Sequence, residues 1–223
     1  MLEGRHLSIA FDGRPILRDV SLTVAPGERV QIAAPSGTGK TTLCRVLAGY
    51  LAPQAGEVLV DGAPLPKRGL CPVQLVGQHP ERALDPRLTM EASLREVLVA
   101  RSSRRAAAGE RGERSADGGG RRSFDDDDVQ LLLEKLGIQR RWRTRYPHEL
   151  SGGELQRFCI ARALMACPRY LIADEISTML DAVTQAQIWS VLLAEADCRQ
   201  MGLIFVSHSP ALASRLATRV VEL

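Results

Sequence analysis

The fold is decided by residues 29–42, RVQIAAPSGTGKTT. The first five of these residues predict a short strand, and the residues from Thr41 to Tyr50 carry apolar side chains at helical spacing. A glycine-rich loop lies between the two. A strand, such a loop and a helix in this order predict a βα unit of an α/β domain.

The loop matches the phosphate-binding pattern G-x-x-x-x-G-K-[ST] except at its first position, where Ala34 replaces glycine. Gly37 and Gly39 allow backbone amides to turn toward phosphate oxygens, and the following helix points its positive end at the same charge. Lys40 is predicted to contact the β and γ phosphates, and Thr41 to ligate Mg²⁺. Ala34 adds only a methyl group, which the loop tolerates unless this residue needs a positive φ.

The composition limits the classes of protein to which the chain can belong. Its 223 residues, 45% of them hydrophobic, suffice for one well-buried α/β domain and are too few for two domains with a linker. The net charge is only +3, because basic and acidic residues nearly balance. The chain therefore lacks the excess of positive charge that marks a nucleic-acid-binding protein, and no nucleic-acid partner is expected. The five cysteines lack metal-ligand spacing and fit a reducing cytoplasm. The sequence contains no apolar run of about 18 residues, the length needed to cross a bilayer.

Further strands are predicted on both sides of the loop. Leu7 to Phe11 and Val20 to Val24 predict two strands, with a turn at residues 12–15 between them. Residues 171–173 and 203–206 are continuous apolar runs, which are typical of strands buried on both faces. Together with the helical stretches between them, these runs predict a mostly parallel sheet.

Residues 101–123 are rich in Arg, Ser, Ala and Gly and contain no aromatic or large aliphatic side chain. Such a segment cannot offset the entropy of ordering, so it predicts a flexible surface insertion. Its basic residues leave open a contact with acidic lipid or RNA, although a solvated loop is the favoured interpretation.

Ser123 and residues 125–128 then predict the start of a helix. The buried face of this helix is predicted at Val129, Leu132, Leu133 and Leu136.

Two carboxylates follow the predicted buried strand at residues 171–173. Asp174 and Glu175 are therefore expected at the edge of the sheet where the ligands of phosphate loops bind. Asp174 is predicted to hold Mg²⁺, directly or through water. Glu175 is predicted to orient and polarise the attacking water.

A second motif lies shortly upstream, where residues 150–157 read LSGGELQR. This motif resembles the signature of ABC ATPases, and the chain is identified as a member of that family over almost its whole length. The resemblance implies an α/β fold with a P-loop NTPase (RecA-like) core, an antiparallel β subregion and an inserted helical subdomain. The implied organisation is a single ABC ATPase domain over residues 1–223, with the helical subdomain at about residues 86–157.

The resemblance also implies the site residues. Phe11 takes the position of an aromatic that stacks on adenine, Gln78 that of a glutamine that senses Mg²⁺, and His208 that of a switch histidine at the γ phosphate. Asp181 resembles the acidic residue of a loop that contacts a second subunit. The implied catalytic residues are Glu175, His208, Lys40 and Gln78. The implied ligands of Mg²⁺ are Thr41, Gln78 and Asp174. The implied ATP-binding residues are Phe11, Ser36, Gly37, Thr38, Gly39, Lys40, Thr41, Thr42, Ser151, Gly152, Gly153 and Asp181.

In this family two ATPase subunits share each site, so the resemblance implies a head-to-tail dimer with an identical or distinct second ATPase. Ser151, Gly152 and Gly153 of one subunit would face the phosphate loop of the other, with ATP between them. Two departures from the family pattern are Ile176, where proline is usual, and Ser209, where aspartate is frequent. Neither departure removes a catalytic group. Both are compatible with a lowered rate of ATP hydrolysis, or with a chain that forms one half of a dimer of two unequal ATPases.

The stretches at residues 85–87, 146–150, 155–163 and 172–175 resemble ATPase subunits of peptide and nickel importers, most closely the second ATPase of nickel or metal-chelate importers. The implied function is ATP hydrolysis coupled to uptake of peptides, nickel or metal chelates. The implied partners are two integral-membrane permeases and an extracytoplasmic substrate-binding protein, with this chain peripheral on the cytoplasmic face of the inner (plasma) membrane. An ABC ATPase that serves a soluble enzyme complex of the carbon-phosphorus lyase type remains the alternative. A small-molecule kinase is disfavoured because it does not need LSGGE.

Overall fold

The computed structural model describes residues 1–35, 37–107, 124, 126–178, 180–207 and 209–223, and its strands form two sheets. The first sheet has the order β2-β1-β4-β5, and its pairs are antiparallel. Its strands are β1 Leu2–Phe11, β2 Arg14–Val24, β4 Ala55–Val60 and β5 Ala63–Pro64. The turn between β1 and β2 consists of Asp12 and Gly13, which both have positive φ, as tight hairpin turns require.

The second sheet is parallel throughout and has the order β6-β7-β8-β3-β9. Its strands are β3 Arg29–Ala33, β6 Val73–Val76, β7 Tyr170–Asp174, β8 Gly202–Val206 and β9 Arg219–Glu222. Every residue of β7 and β8 is buried, which confirms the prediction from their continuous apolar runs. Because the strands are parallel, the loops that follow β3, β6, β7 and β8 all leave from one edge.

Helices cover both faces of this region. The helices of the described residues are α1 Lys40–Leu47, α2 Met90–Ala107, α3 Asp127–Lys135, α4 Gly152–Met165, α5 Ala182–Arg199 and α6 Pro210–Leu216. Short 3₁₀ turns lie at Pro80–Arg82, Arg140–Trp142 and Pro147–Glu149. None of the helices described is both long and apolar enough to cross a membrane.

The parallel sheet is the middle layer of the structure, and successive residues of its strands enter two different cores. On β7, Tyr170 and Ile172 join a core with α1 and the antiparallel sheet, whereas Leu171 and Ala173 join a core with α2 to α5. This alternation is the two-residue period of a strand, applied to a sheet that is covered on both faces. The same strand therefore anchors both cores and ends at the acidic pair.

The predicted insertion at 101–123 is wrong in its first part, because α2 continues to Ala107. Ala and Arg are strong helix formers, and two hydrogen bonds stabilise the last turns of the helix. Arg101 contacts the Met165 carbonyl oxygen at 3.5 Å, and Ser102 donates to the Leu98 carbonyl oxygen at 2.9 Å. Residues 108–123 and Asp125 lie outside the described residues.

Helix α3 begins at Asp127, after Asp126 at the N-cap position, close to the predicted start. Its predicted apolar face is confirmed, because Val129, Leu132, Leu133 and Leu136 are all buried.

Two leucines of α3 provide a matched test of this packing. Leu133 is 0% exposed and Leu131 is 51% exposed on the same helix. Leu133→Ala is expected to lower the free energy of unfolding by about 2–5 kcal/mol, because it leaves a cavity in the core. Leu131→Ala should change it by no more than about 0.5 kcal/mol. Urea denaturation of both variants measures the difference, and equal losses would contradict the described register of α3.

Candidate active site

The loop between β3 and α1 requires glycine at two positions. Gly37 and Gly39 have φ of 80° and 100°, in the region that side chains avoid. A Cβ atom at Gly39 would also lie 2.8 Å from Ile16 Cγ2 and 3.0 Å from the Ile16 carbonyl oxygen. Ala34 is not among the residues with positive φ, so its methyl group is tolerated as predicted. Ser36 lies outside the described residues.

Lys40 is the first residue of α1 and is only 7% exposed. Its Nζ donates to the carbonyl oxygens of Ala34 and Pro35, both at 2.8 Å. The ammonium group is therefore held against the loop that the sequence assigns to phosphate. Thr38 closes the same turn, since its hydroxyl donates to the Pro35 carbonyl oxygen at 2.7 Å.

Asp174 is the last residue of β7 and is 4% exposed. Burial raises the pKa of its carboxyl, the nearby Thr41 hydroxyl lowers it, and the negative charge of Glu175 raises it. The structure thus brings Thr41 and Asp174, from different elements, to the same cavity. A buried carboxylate whose burial is not fully compensated favours the approach of a cation.

Glu175 is partly buried and has φ of 54°, which is unusual for a residue with a side chain. Its amide donates to the Val206 carbonyl oxygen at 3.2 Å, and the Thr178 hydroxyl donates to its carbonyl oxygen at 3.2 Å. These bonds hold the backbone in the turn that separates the two carboxylates. Strained backbone of this kind clusters at functional sites, and the sequence gives no signal for it.

Thr41, Asp174 and Gln78 line one cavity of about 590 Å³. A hydroxyl, a carboxylate and an amide oxygen are the donors that Mg²⁺ prefers, and this ion keeps several water or phosphate ligands besides. The described residues contain no group of three or more His, Cys, Asp or Glu that could hold a metal on its own. The donors present therefore fit a Mg²⁺ ion that is completed by phosphate and water.

The signature residues are elsewhere on the surface. Ser151 and Gly152 are exposed and Gly153 is half-buried, at the start of α4, and none of them lines the cavity of Asp174. Ser151 is the N-cap of α4: its Oγ accepts from the Glu154 amide at 3.3 Å, and Glu154 Oε2 accepts from the Ser151 amide at 2.8 Å. This capping box satisfies the amides of Ser151 and Glu154 at the start of the helix.

The other predicted residues are dispersed. Phe11 is 46% exposed at the end of β1. Asp181 is the N-cap of α5, and its carboxylate accepts from the amides of Val183 and Thr184 at 3.0 and 2.9 Å. These backbone bonds, led by that from Thr184, lower the pKa of Asp181. His208 and Met179 lie outside the described residues.

Comparison with known proteins gives the family. The family model described as ABC transporter matches residues 17–178. The chain belongs to the ABC transporter family. The nickel import system ATP-binding protein NikE of Staphylococcus aureus (strain bovine RF122 / ET3-1) is 32% identical over 230 residues, which cover 100% of this chain and 86% of NikE.

Solved structures of ABC proteins have the same fold. An ATP-binding subunit of an ABC transporter superposes with a TM-score of 0.79 at 23% identity, over 100% of this chain and 85% of the other. A dimeric ATP-binding cassette in a post-hydrolysis state, bound to ADP and Pi, has a TM-score of 0.76 at 26% identity, with coverage of 100% and 94%. The predicted P-loop NTPase core with an antiparallel subregion is confirmed, and the chain is an ABC ATPase that binds ATP.

The two departures from the ABC pattern have structural explanations. Ile176 is 3% exposed and packs in the core beside β7, so its side chain replaces the usual proline with apolar volume. Ser209 is the N-cap of α6, and its Oγ accepts from the Leu212 amide at 3.3 Å. Serine and aspartate are both good N-caps, so Ser209 caps the start of this helix as an aspartate could.

The raised pKa of Asp174 predicts a pH-dependent stability. The folded state binds this proton more tightly than the unfolded state, where the pKa is near 3.8. The ABC ATPase therefore loses stability as pH rises from 3.8 through the folded pKa, and this loss is complete above it. Without nucleotide, Asp174→Asn should melt at a higher temperature than wild type at pH 7, and the difference should shrink toward pH 4. Asp197→Asn, at an exposed position on α5, is the control. A variant less stable than wild type at pH 7 would contradict this electrostatic account.

Proposed function

We propose that this chain is the ATP-hydrolysing subunit of an ABC importer, with nickel, a metal chelate or a peptide as cargo. This proposal rests mainly on one observation: Lys40, Thr41 and the buried Asp174 lie close together at one edge of the parallel sheet. The importer assignment is supported by full-length similarity to the nickel import protein NikE. No observation favours the alternative of a soluble enzyme complex.

At this site the chain would hold ATP by its phosphates. The amides of residues 37–42 and the ammonium of Lys40 would bind the β and γ phosphates, with Ser36 completing the loop. Thr41, Asp174 and Gln78 would hold Mg²⁺, which when bound supplies positive charge at the phosphate oxygens. Phe11 would stack on adenine from the exposed end of β1.

Glu175 would orient and polarise the water that attacks the γ phosphate, because it follows Asp174 directly and its backbone turns away from the strand. His208 would contact the γ phosphate from the end of β8. The oxygen of this water would bond to the γ phosphorus as the bond from phosphorus to the ADP oxygen breaks, and its proton would pass to the Glu175 carboxylate, which yields ADP and phosphate.

Ser151 of a second subunit would complete the site. Its Oγ already accepts a hydrogen bond from Glu154, so the hydroxyl proton stays available for donation to a phosphate oxygen. The N-terminus of α4, including Gly152 and Gly153, would add amide dipoles. Asp181, which starts α5, would lie at the same interface. The exposure of this end of α4 and the dimeric state of a solved relative support this head-to-tail arrangement.

The cavity that Thr41, Gln78 and Asp174 line would also receive the membrane partner. It is lined by Tyr50, which is 70% exposed, and by Leu70, Leu75 and Val97, so an apolar side chain can enter it from outside. A short helix of a permease would occupy this opening, with the chain peripheral on the cytoplasmic face of the membrane. A second ATPase, two permeases and a substrate-binding protein would complete the importer.

Glu175→Gln separates hydrolysis from binding. The amide cannot take up a proton, so the hydrolysis rate should fall about 10²–10⁴-fold while the dissociation constant for MgATP stays close to that of wild type. Steady-state phosphate release and calorimetric titration measure the two quantities. Glu134→Gln, an exposed change on α3, is the control. Undiminished hydrolysis in Glu175→Gln would remove Glu175 from the proposed mechanism.

Affinity capture tests the importer assignment. The full chain, used as bait in mild detergent and analysed by mass spectrometry, should recover two multi-span permeases and a second ATPase. Tyr50→Ala should reduce recovery of the permeases by removing the exposed ring at the cavity, whereas Leu131→Ala should not. Recovery of soluble enzymes alone would overturn the importer assignment and leave the ATPase assignment intact.

A further inference from the structure

Helix α4 contacts the segment 77–83 through three side chains at regular spacing. Gln156 Nε2 donates to the Gly77 carbonyl oxygen at 3.2 Å, the Cys159 thiol to that of Pro80 at 3.7 Å, and Arg162 Nη1 to that of Ala83 at 3.1 Å. Donors and acceptors thus both advance by three residues. We refer to these three contacts as the α4 ladder.

The local geometry explains why the two series match. Pro80 is the first residue of the 3₁₀ turn Pro80–Arg82 and Ala83 is its C-cap, so the second and third acceptors are the carbonyl oxygens at the two ends of this turn. Residues three apart on α4 are neighbours on one face of that helix. Gln156 and Cys159 are 3% and 8% exposed, so two of the three bonds are shielded from water. Burial raises the pKa of Cys159 to about 12, so its thiol keeps the donated proton at neutral pH.

The ladder connects two parts of the proposed site. Gln78 follows directly after the first acceptor, and Ser151 caps the N-terminus of the helix that carries the donors. A displacement of α4 would therefore shift the carbonyl oxygens of Gly77 and Pro80, which lie on either side of Gln78 in the chain. Arg162 is held from a second direction too, because its Nη2 lies 4.0 Å from Glu96 of α2.

We propose that Gln156, Cys159 and Arg162 are positioning residues that make segment 77–83 and α4 one rigid unit. Through this unit, contact of a second subunit with Ser151 would set the position of Gln78 in its cavity. The functional part of this inference rests on the proposed function, whereas the rigidity of the unit does not.

The first test measures rigidity without nucleotide. In hydrogen-exchange mass spectrometry of the full chain, Gln156→Leu and Arg162→Met should speed exchange in the peptide that covers residues 77–83. The expected increase is about five-fold for each, the equivalent of one hydrogen bond of about 1 kcal/mol. Gln187→Leu makes the same chemical change on α5, where Gln187 donates to the Lys135 carbonyl oxygen, and should leave this peptide unchanged. Unchanged exchange in both ladder variants would overturn the inference.

The second test asks whether the ladder acts through Gln78. Gln156→Leu and Arg162→Met should lower kcat for MgATP about five-fold at unchanged KM, and Arg162→Lys, which keeps a donor, should restore most of the loss. In a Gln78→Ala background the ladder substitutions should have no further effect on kcat. Full additivity with Gln78→Ala would overturn the positioning role. If the wild-type chain does not hydrolyse ATP, that result refutes the proposed function instead. The hydrogen-exchange experiment would still decide whether the α4 ladder is rigid.

Discussion

The structure depends on a carboxylate that is buried at the end of β7. Asp174 is 4% exposed at the end of a fully buried strand, next to a second carboxylate, and both features disfavour its charged form. The chain maintains this arrangement because β7 contributes to both cores and cannot shift without disturbing them. A cation bound at Asp174 would recover the stability that its burial costs, which supports the proposed Mg²⁺ site.

The parallel sheet determines which groups meet. Strand β3 leads into the phosphate loop and β7 into the acidic pair, with β8 between them. Parallel pairing brings their carboxyl ends to one edge, so Lys40 and Asp174 meet although they are far apart in sequence. The signature residues are on α4, outside this edge, which is why the proposed site needs a second subunit.

Much of this arrangement could be predicted from the sequence. The loop at residues 34–42 and the strand at residues 171–173 are local patterns with a direct physical meaning, and both strands of the site form where predicted. The helix propensity of Ala and Arg is a local signal for the helical extension through Ala107, but the contact from Arg101 to the Met165 carbonyl oxygen is tertiary and could not be predicted. The positive φ of Glu175 and the α4 ladder also depend on tertiary contacts, the latter between residues 79 positions apart. The roles of the site residues, Ser36 and His208 included, remain predictions from the motifs.

The central claim is that Lys40 and its loop bind the phosphates of ATP. Calorimetric titration of MgATP into the full chain and its Lys40→Met variant tests this claim most directly. Loss of charge-assisted hydrogen bonds worth about 1.5–3 kcal/mol should weaken binding by about 10- to 100-fold, whereas Lys135→Met on α3 should bind like wild type. Equal affinity of wild type and Lys40→Met for MgATP would contradict the account.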